Sequence, residues 1–131
     1  MISPGFYLIC RLFAGYAERK GPGVIGFLTV RCRYIDDLLQ ECISSGIQQL
    51  VILGAGLDSR PYRFEALKGP VRTFEVDSPA TQSAKLERLK SIFGTVPAQV
   101  TYVPIDFNSE TLEKLFDYGF DTHLKTFFIW R

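Results

Sequence analysis

The chain has 131 residues, of which 47% are hydrophobic and 22% are charged, a composition typical of one globular domain and not of a disordered segment. Its 15 Lys and Arg residues against 14 Asp and Glu residues give a net charge of +1. This balance offers no electrostatic attraction to nucleic acid or to an acidic membrane surface, so we expect neither as a partner.

Cysteine usage and hydropathy indicate a soluble, cytoplasmic protein. Cys10, Cys32 and Cys42 are widely spaced, form no CxxC pair and are accompanied by a single histidine, which favours reduced thiols over a metal site. The apolar stretch from Phe6 to Ile9 is interrupted by Arg11 and is far shorter than the ~18 residues of a membrane span. We therefore expect no bound metal and no membrane anchor.

The first 46 residues are predicted to form a helical segment. Residues 1–20 place apolar side chains at helical spacing, which predicts one apolar helix. A Gly-Pro-Gly sequence breaks that helix, and Gly26 indicates that the following segment is loose. From Thr29 onward an amphipathic pattern predicts a second helix, which Gly46 ends.

The next stretch combines a buried strand with a glycine turn. The apolar run 49–53, QLVIL, is typical of a strand buried on both faces of a parallel sheet. Gly54-Ala55-Gly56 predicts a sharp turn at which a ligand can approach bare backbone, and Asp58 or Ser59 could cap a short helix after it. A full G-x-G-x-x-G motif needs a third glycine at the position of Ser59, so the turn alone is a weak indication of nucleotide binding.

A second strand, 71–76, ends at an acidic residue about twenty positions after the glycine turn, as in nucleotide-binding βαβ units. A carboxylate at the position of Asp77 accepts hydrogen bonds from ribose hydroxyls in such units. Glu75 lies on the same side of the strand and is at best a secondary contact. The alternative is that the turn is only a tight connection and Asp77 only a cap before Pro79. Both features together favour an adenosine-bearing cofactor.

The remaining chain continues the alternation of helices and strands. Ser78 to Phe93 predicts a helix whose buried side includes Ala80, Ala84, Leu86, Leu89 and Ile92 and whose exposed side includes Lys85. A third strand over 99–104 leads into a loop at Asp106 and Phe107, then into a short helix over 109–116 and a fourth strand over 125–130.

Such alternation predicts an α/β fold with a parallel sheet and right-handed crossovers. Placing the glycine turn at the topological switch point gives the strand order 3-2-1-4. The fourth strand, KTFFIW, is followed only by Arg131, and an apolar strand at a sheet edge is a site of unwanted pairing. We therefore expect either a partner that covers this edge, including a second copy of the chain, or a longer protein of which this is the front part.

Four segments, RCRYIDDLL, VILGAGLDSRPYR, FEVDSPATQSAKL and FFIW, resemble in order and spacing the leucine carboxyl methyltransferase-like family of S-adenosylmethionine-dependent methyltransferases. The resemblance runs from about Thr29 to Trp130. It implies a Rossmann-like class I methyltransferase fold, with residues 1–46 as a helical segment and residues 47–131 as a partial cofactor-binding domain. It also implies S-adenosyl-L-methionine as the cofactor and methyl transfer to a carboxylate or hydroxyl oxygen of a small molecule or protein.

The same resemblance implies a set of cofactor contacts. An arginine of the RCRYIDDLL segment would bind the methionine carboxylate, and Arg33, two positions from Arg31, is the alternative candidate. The glycine turn would lie under the methionine and ribose, and the loop after the third strand would contact adenine, although its acidic residue could also be an ordinary turn residue. The implied site consists of Arg31, Gly54, Ala55, Gly56, Asp77, Asp106 and Phe107.

Two other function classes stay open. A fragment of an NAD-dependent oxidoreductase would use the glycine turn and the acidic strand end equally well. A non-catalytic interaction domain would keep the fold without binding a cofactor. No catalytic residue is predicted, because His123 is expected in a loop or at the surface. Since the family continues beyond its fourth strand, we expect the isolated chain to be an incomplete member without methyl transfer of its own.

Overall fold

The structure is a computed structural model that describes Arg19 and residues 21–131. The apolar helix predicted over residues 1–20 lies, except for Arg19, outside the described residues. Contacts divide the chain into two compact units, Met1–Leu39 and Gln40–Arg131. None of the helices in the described part of the chain is long and apolar enough to cross a lipid bilayer.

Helix α1 spans Val24–Ser44 and starts earlier than the sequence pattern predicts. The predicted loose segment at Gly26 and helix start at Thr29 are wrong, because the preceding glycine turn already starts the helix. The first amide of α1 donates to the Gly21 carbonyl at 3.1 Å. A glycine inside a helix costs about 1 kcal/mol relative to alanine, which a 21-residue helix tolerates. The predicted end is confirmed, since Gly46 adopts the left-handed conformation with φ 85°.

The Gln40–Arg131 unit contains a parallel sheet of four strands, in the order β3-β2-β1-β4. This confirms the predicted α/β, Rossmann-like fold with the order 3-2-1-4, and each predicted strand end lies within one residue of the observed one. Central strand β1 is almost fully buried, as its uninterrupted apolar sequence requires. The strands are β1 Gln49–Leu53, β2 Arg72–Asp77, β3 Val100–Pro104 and β4 Thr126–Trp130.

Helical elements of different lengths connect the strands. Helix α2, Arg60–Arg63, and a 3₁₀ turn, Glu65–Lys68, follow β1, whereas α3, Pro79–Phe93, connects β2 to β3. Helix α4 covers only Lys114–Asp117, so the prediction of a helix over 109–116 is wrong in its first half. There the Glu110 carboxylate accepts a hydrogen bond from the Asp106 amide at 2.9 Å, and the chain turns back on itself instead of starting a helix.

The hydrophobic core of this unit lies between the sheet and the segments that follow β3. Phe120 packs edge-to-face against Phe74 of β2, with ring centroids 5.9 Å apart. The segment after α4 thus lies against the sheet, next to the chain that enters β4. The buried cluster consists of Val51, Phe74, Val76, Val103, Ile105 and Leu115.

The buried face of α3 differs from the predicted one. Leu89 is buried as predicted, but Ala80, Ala84 and Ile92 are exposed, and Lys85, predicted to face solvent, is buried. The physical reason is a partner that helical spacing cannot reveal. The Lys85 ammonium forms an ion pair with the buried Glu75 carboxylate of β2 at 2.7 Å, so α3 turns a charged side chain toward the sheet.

Candidate functional site

The turn after β1 requires glycine at two positions. Gly54 has φ 64° and Gly56 has φ 47°, both in the left-handed region that L side chains rarely adopt. A Cβ atom on Gly54 would also come within 3.1 Å of the Arg131 carbonyl oxygen. The turn therefore exposes bare backbone at the carboxyl end of the central strand, as the sequence predicts.

Hydrogen bonds tie this turn to the end of β2. The Ala55 amide donates to the Val76 carbonyl at 3.1 Å, and the Gly56 amide donates to Asp77 Oδ2 at 2.6 Å. The Ser78 amide donates to the other carboxylate oxygen, Asp77 Oδ1, at 2.7 Å. A carboxylate has about four lone-pair positions, so two backbone donors orient Asp77 and leave about two positions for a ligand.

The amino end of α3 adjoins the same point. Ser78 is the N-cap residue, and its hydroxyl oxygen accepts a hydrogen bond from the Thr81 amide at 3.3 Å. The backbone carbonyl of Asp77 accepts a hydrogen bond from the Ile105 amide at 2.9 Å, which ties the end of β3 to the end of β2. Asp77 is thus placed by three neighbouring chain segments and has little freedom to move.

A cavity of about 480 Å³ lies over the carboxyl ends of β1, β2 and β4. This volume falls in the range of ordinary small-molecule sites. Asp77 is the one ionisable side chain among the described residues that line the cavity. Two aromatic rings are open to a ligand, since Phe107 is 57% exposed and Trp130 82% exposed. The cavity is lined by Leu53, Gly54, Asp77, Ser78, Phe107, Leu112 and Trp130.

The structure brings together part of the predicted cofactor set. Gly54, Asp77 and Phe107 line the cavity, whereas Ala55 and Gly56 form the turn behind it. These three lining residues come from the ends of two strands and from the loop after β3. The order of the strands in the sheet therefore brings these three residues together.

Asp106 does not line this cavity. Its Oδ1 atom accepts hydrogen bonds from the Asn108 amide at 3.0 Å and from Asn108 Nδ2 at 2.9 Å. These bonds hold the pKa of the Asp106 carboxyl below its ordinary value, and the bond from the Asn108 backbone amide has the largest effect. The predicted contact between Asp106 and the adenine amine stays a prediction.

Arg31 lies on α1, and its side chain is exposed. Arg33, the alternative candidate, forms an exposed ion pair in which Nε lies 3.3 Å from Asp37 Oδ1, one helical turn further on. The assignment of Arg31 to a cofactor carboxylate stays a prediction.

The sequence interpretation missed four lining residues. Leu53 and Trp130 are register partners at the carboxyl ends of β1 and β4. The rule that ligands bind at the carboxyl ends of parallel strands would have identified them once the order was known. The same rule would have identified Ser78, which directly follows the carboxyl end of β2. Leu112 lies in the irregular segment before α4, and we find no sequence signal for its position.

Comparisons with known proteins indicate the family of this chain. The family profile described as leucine carboxyl methyltransferase matches residues 11–131. A Bacillus subtilis protein named "Putative S-adenosyl-L-methionine-dependent methyltransferase YktD" is 40% identical over 99 residues, which are 75% of this chain and 32% of that protein. A Streptomyces coelicolor protein with the same description, SCO7813, is 34% identical over 113 residues, which are 86% of this chain and 40% of that protein.

The matched part of the chain therefore spans 32% to 40% of the length of these curated relatives. The family uses S-adenosylmethionine as its cofactor. The family profile covers nearly the whole chain, and the glycine turn and the acidic end of β2 stand at the carboxyl ends of adjacent parallel strands. This chain belongs to the leucine carboxyl methyltransferase family.

Proposed function

We propose that this chain is the cofactor-binding portion of an S-adenosylmethionine-dependent O-methyltransferase, with residues 47–131 as the binding domain and residues 1–46 as an accompanying helical segment. The observation that carries the proposal is the Asp77 carboxylate. It lines the cavity beside Gly54, and the Gly56 and Ser78 amides hold it in one orientation. A diol such as ribose donates two hydrogen bonds, which the two remaining lone-pair positions of a pre-oriented carboxylate can accept.

The other lining groups fit the remainder of an adenosyl cofactor. Backbone at Gly54 carries no side chain to obstruct a ligand, and the Phe107 and Trp130 rings present open apolar faces to a flat base. Asp106 and Arg31 complete the proposed set, as contacts to the adenine amine and to the methionine carboxylate respectively. When bound, S-adenosylmethionine supplies a methyl group already activated by its sulfonium.

The residues that line the cavity also favour a methyl acceptor whose oxygen is already ionised and needs no general base. Among the described residues that line the cavity only Asp77 has an ionisable side chain, and we assign it to the ribose. A carboxylate acceptor is already charged at neutral pH and needs no general base, so the protein would contribute orientation and exclusion of water. A hydroxyl acceptor is the second candidate, and we assign no catalytic residue.

A calorimetric titration tests the proposal against its two alternatives. We expect the chain to bind S-adenosylhomocysteine and to show no heat with NAD at the same concentrations. Binding of NAD in preference would favour an oxidoreductase fragment. Absence of binding by either ligand to folded protein would favour a non-catalytic interaction domain.

The arginine assignment makes a separate prediction. Arg31→Ala is expected to weaken S-adenosylhomocysteine binding about tenfold, because a guanidinium–carboxylate pair is a charge-assisted, bidentate interaction. Arg33→Ala is the matched control, and it should change affinity less, since Arg33 is already paired with Asp37. Calorimetry measures both affinities.

A truncated ligand sharpens this test. The affinity for 5′-methylthioadenosine, which lacks the amino-acid carboxylate, should be the same in the wild type and in Arg31→Ala. A larger loss in Arg33→Ala than in Arg31→Ala would reverse the assignment.

A further inference from the structure

Lys85 of α3 bridges β2 and the loop that follows the glycine turn. Its ammonium donates to Glu75 Oε1 at 2.7 Å and to the backbone carbonyl of Asp58 at 3.0 Å. Its side chain is almost completely buried. The ammonium also lies 5.4 Å from the centroid of the Tyr62 ring, a favourable cation–π position. One side chain thus connects α3, β2 and the loop after the glycine turn.

The surroundings of Glu75 show why this cation is needed. Burial raises the pKa of the Glu75 carboxyl, and the Lys85 ammonium opposes that rise. Tyr62 donates a hydrogen bond to Glu75 Oε1 at 3.1 Å, and the Tyr62 hydroxyl is itself bonded to the Tyr102 hydroxyl at 2.9 Å. Glu75 Oε2 is buried without a partner among the described residues. The ionised form of a carboxyl buried in this way is strongly stabilised by a buried cation beside it.

Asp58 makes the bridge relevant to the cofactor site. Its own carboxylate accepts hydrogen bonds from the Arg60 amide at 2.9 Å and from Arg60 Nη1 at 2.6 Å, so the start of α2 is locked to it. Two positions earlier, the Gly56 amide orients Asp77. The segment from Gly56 to Asp58 is therefore held at one end by Asp77 and at the other by Lys85.

Lys85 does not line the cavity that contains Asp77. It lines a smaller cavity of about 270 Å³, together with Asp58, Tyr62 and apolar residues of α3. Lys85 therefore acts on a ligand at Asp77 through its bonds to the loop and to β2 and not by direct contact.

We propose that Lys85 is a positioning residue for cofactor binding. By holding the Asp58 carbonyl beside Glu75, it keeps the loop in the conformation in which the Gly56 amide orients the Asp77 carboxylate. The ligand affected is the adenosyl cofactor, so the proposal rests on the proposed function. The effect of Lys85 on the conformation of the loop can also be tested without the ligand.

The test compares three variants of the chain with the wild type. Glu75→Gln keeps an oxygen for Lys85 and keeps the donor to Asp58, but it removes the counter-charge of the buried ammonium, so its affinity is compared only on protein that is folded. Lys85→Met combined with Glu75→Gln removes the bridge without leaving a buried unpaired charge. Leu89→Ala is the matched control, because it removes a buried side chain from the same face of α3 and leaves the bridge intact.

Two quantities are measured on protein shown to be folded by circular dichroism. We expect Glu75→Gln and Leu89→Ala to bind S-adenosylhomocysteine within about threefold of the wild type and the double variant to bind roughly tenfold more weakly, the effect of losing one charge-assisted hydrogen bond. We also expect the Gly56 amide proton, downfield in the wild type because of its short bond to Asp77, to move upfield in the double variant only. If Lys85→Met with Glu75→Gln does not fold, Lys85→Gln with Glu75→Gln replaces it, and the same loss of affinity and the same upfield shift of the Gly56 amide proton are expected.

The outcomes separate this proposal from the proposed function. Wild-type affinity and an unchanged Gly56 signal in the double variant would overturn the positioning role. An equal loss in Leu89→Ala would also overturn it, because the effect would then follow general stability. If the wild type itself did not bind S-adenosylhomocysteine, the proposed function would fail, while the Gly56 signal would still decide whether Lys85 positions the loop.

Discussion

Asp77→Ala is expected to weaken S-adenosylhomocysteine binding by about 1.5–3 kcal/mol, roughly 10- to 150-fold in Kd, the range for losing hydrogen bonds to a charged group. The carboxylate lines the cavity with both oxygens already oriented by backbone amides, so a ligand hydroxyl meets an acceptor that needs no rearrangement. The Gly56 and Ser78 amides that lose their acceptor are partly exposed and can bind water instead. The domain should therefore stay folded.

Two controls make the Asp77 result specific. Asp117→Ala removes the same charge from an exposed position on α4 outside the cavity lining and should leave the affinity unchanged. Binding of 5′-methylthioadenosine should fall in Asp77→Ala as well, because that ligand keeps the ribose. If Asp77→Ala bound both ligands as the wild type does, the ribose assignment would be wrong.

The second large effect is expected at the edge of the sheet. Strand β4 pairs with β1 on one side, and within the described residues no strand pairs with its other side. Phe128 is 48% exposed and Trp130 82% exposed at this edge. Unpaired backbone groups beside apolar side chains favour pairing with another chain, and burial of one large apolar side chain contributes about 1.5–3 kcal/mol. We propose that the chain self-associates through β4.

Sedimentation velocity over a range of concentrations measures this association. The wild type should shift to larger species as concentration rises, and Phe128→Lys should stay monomeric, because a charge on an edge strand opposes pairing. Ile92→Lys is the matched control, since it makes the same kind of change at a 71% exposed position on α3. A wild type that is monomeric throughout, or an equal effect of Ile92→Lys, would contradict association through this edge.

Much of the fold could be predicted because its signals are local. The apolar run of β1 and the glycines after it specify a buried strand and a sharp turn by their own sterics and hydrophobicity. Asp77 could be identified for the same reason, since it ends a recognisable strand at the spacing of a nucleotide-binding unit. Strand order followed because a ligand turn at the switch point permits few arrangements of four parallel strands.

Two of the errors share a physical cause, which is a specific side-chain partner that a periodic sequence pattern does not reveal. The buried position of Lys85 depends on Glu75, and helical periodicity by itself places a lysine in solvent. The short α4 depends on the Glu110 side chain that returns to Asp106. In both cases a specific hydrogen bond outweighs a pattern of propensities that differ by only a few tenths of a kcal/mol per residue.

The sequence alone thus determined the family resemblance, the parallel sheet and the carboxylate at the end of β2, because each depends on residues close together in the chain or on a general rule of topology. Only the tertiary structure decided which groups line the cavity and how Asp77 is held. Trp130 meets Leu53 because β4 pairs with β1, and Lys85 reaches Asp58 because α3 packs behind the loop. Contacts between segments this far apart in the chain leave no periodic pattern in the sequence, so only the packing of the folded chain shows them.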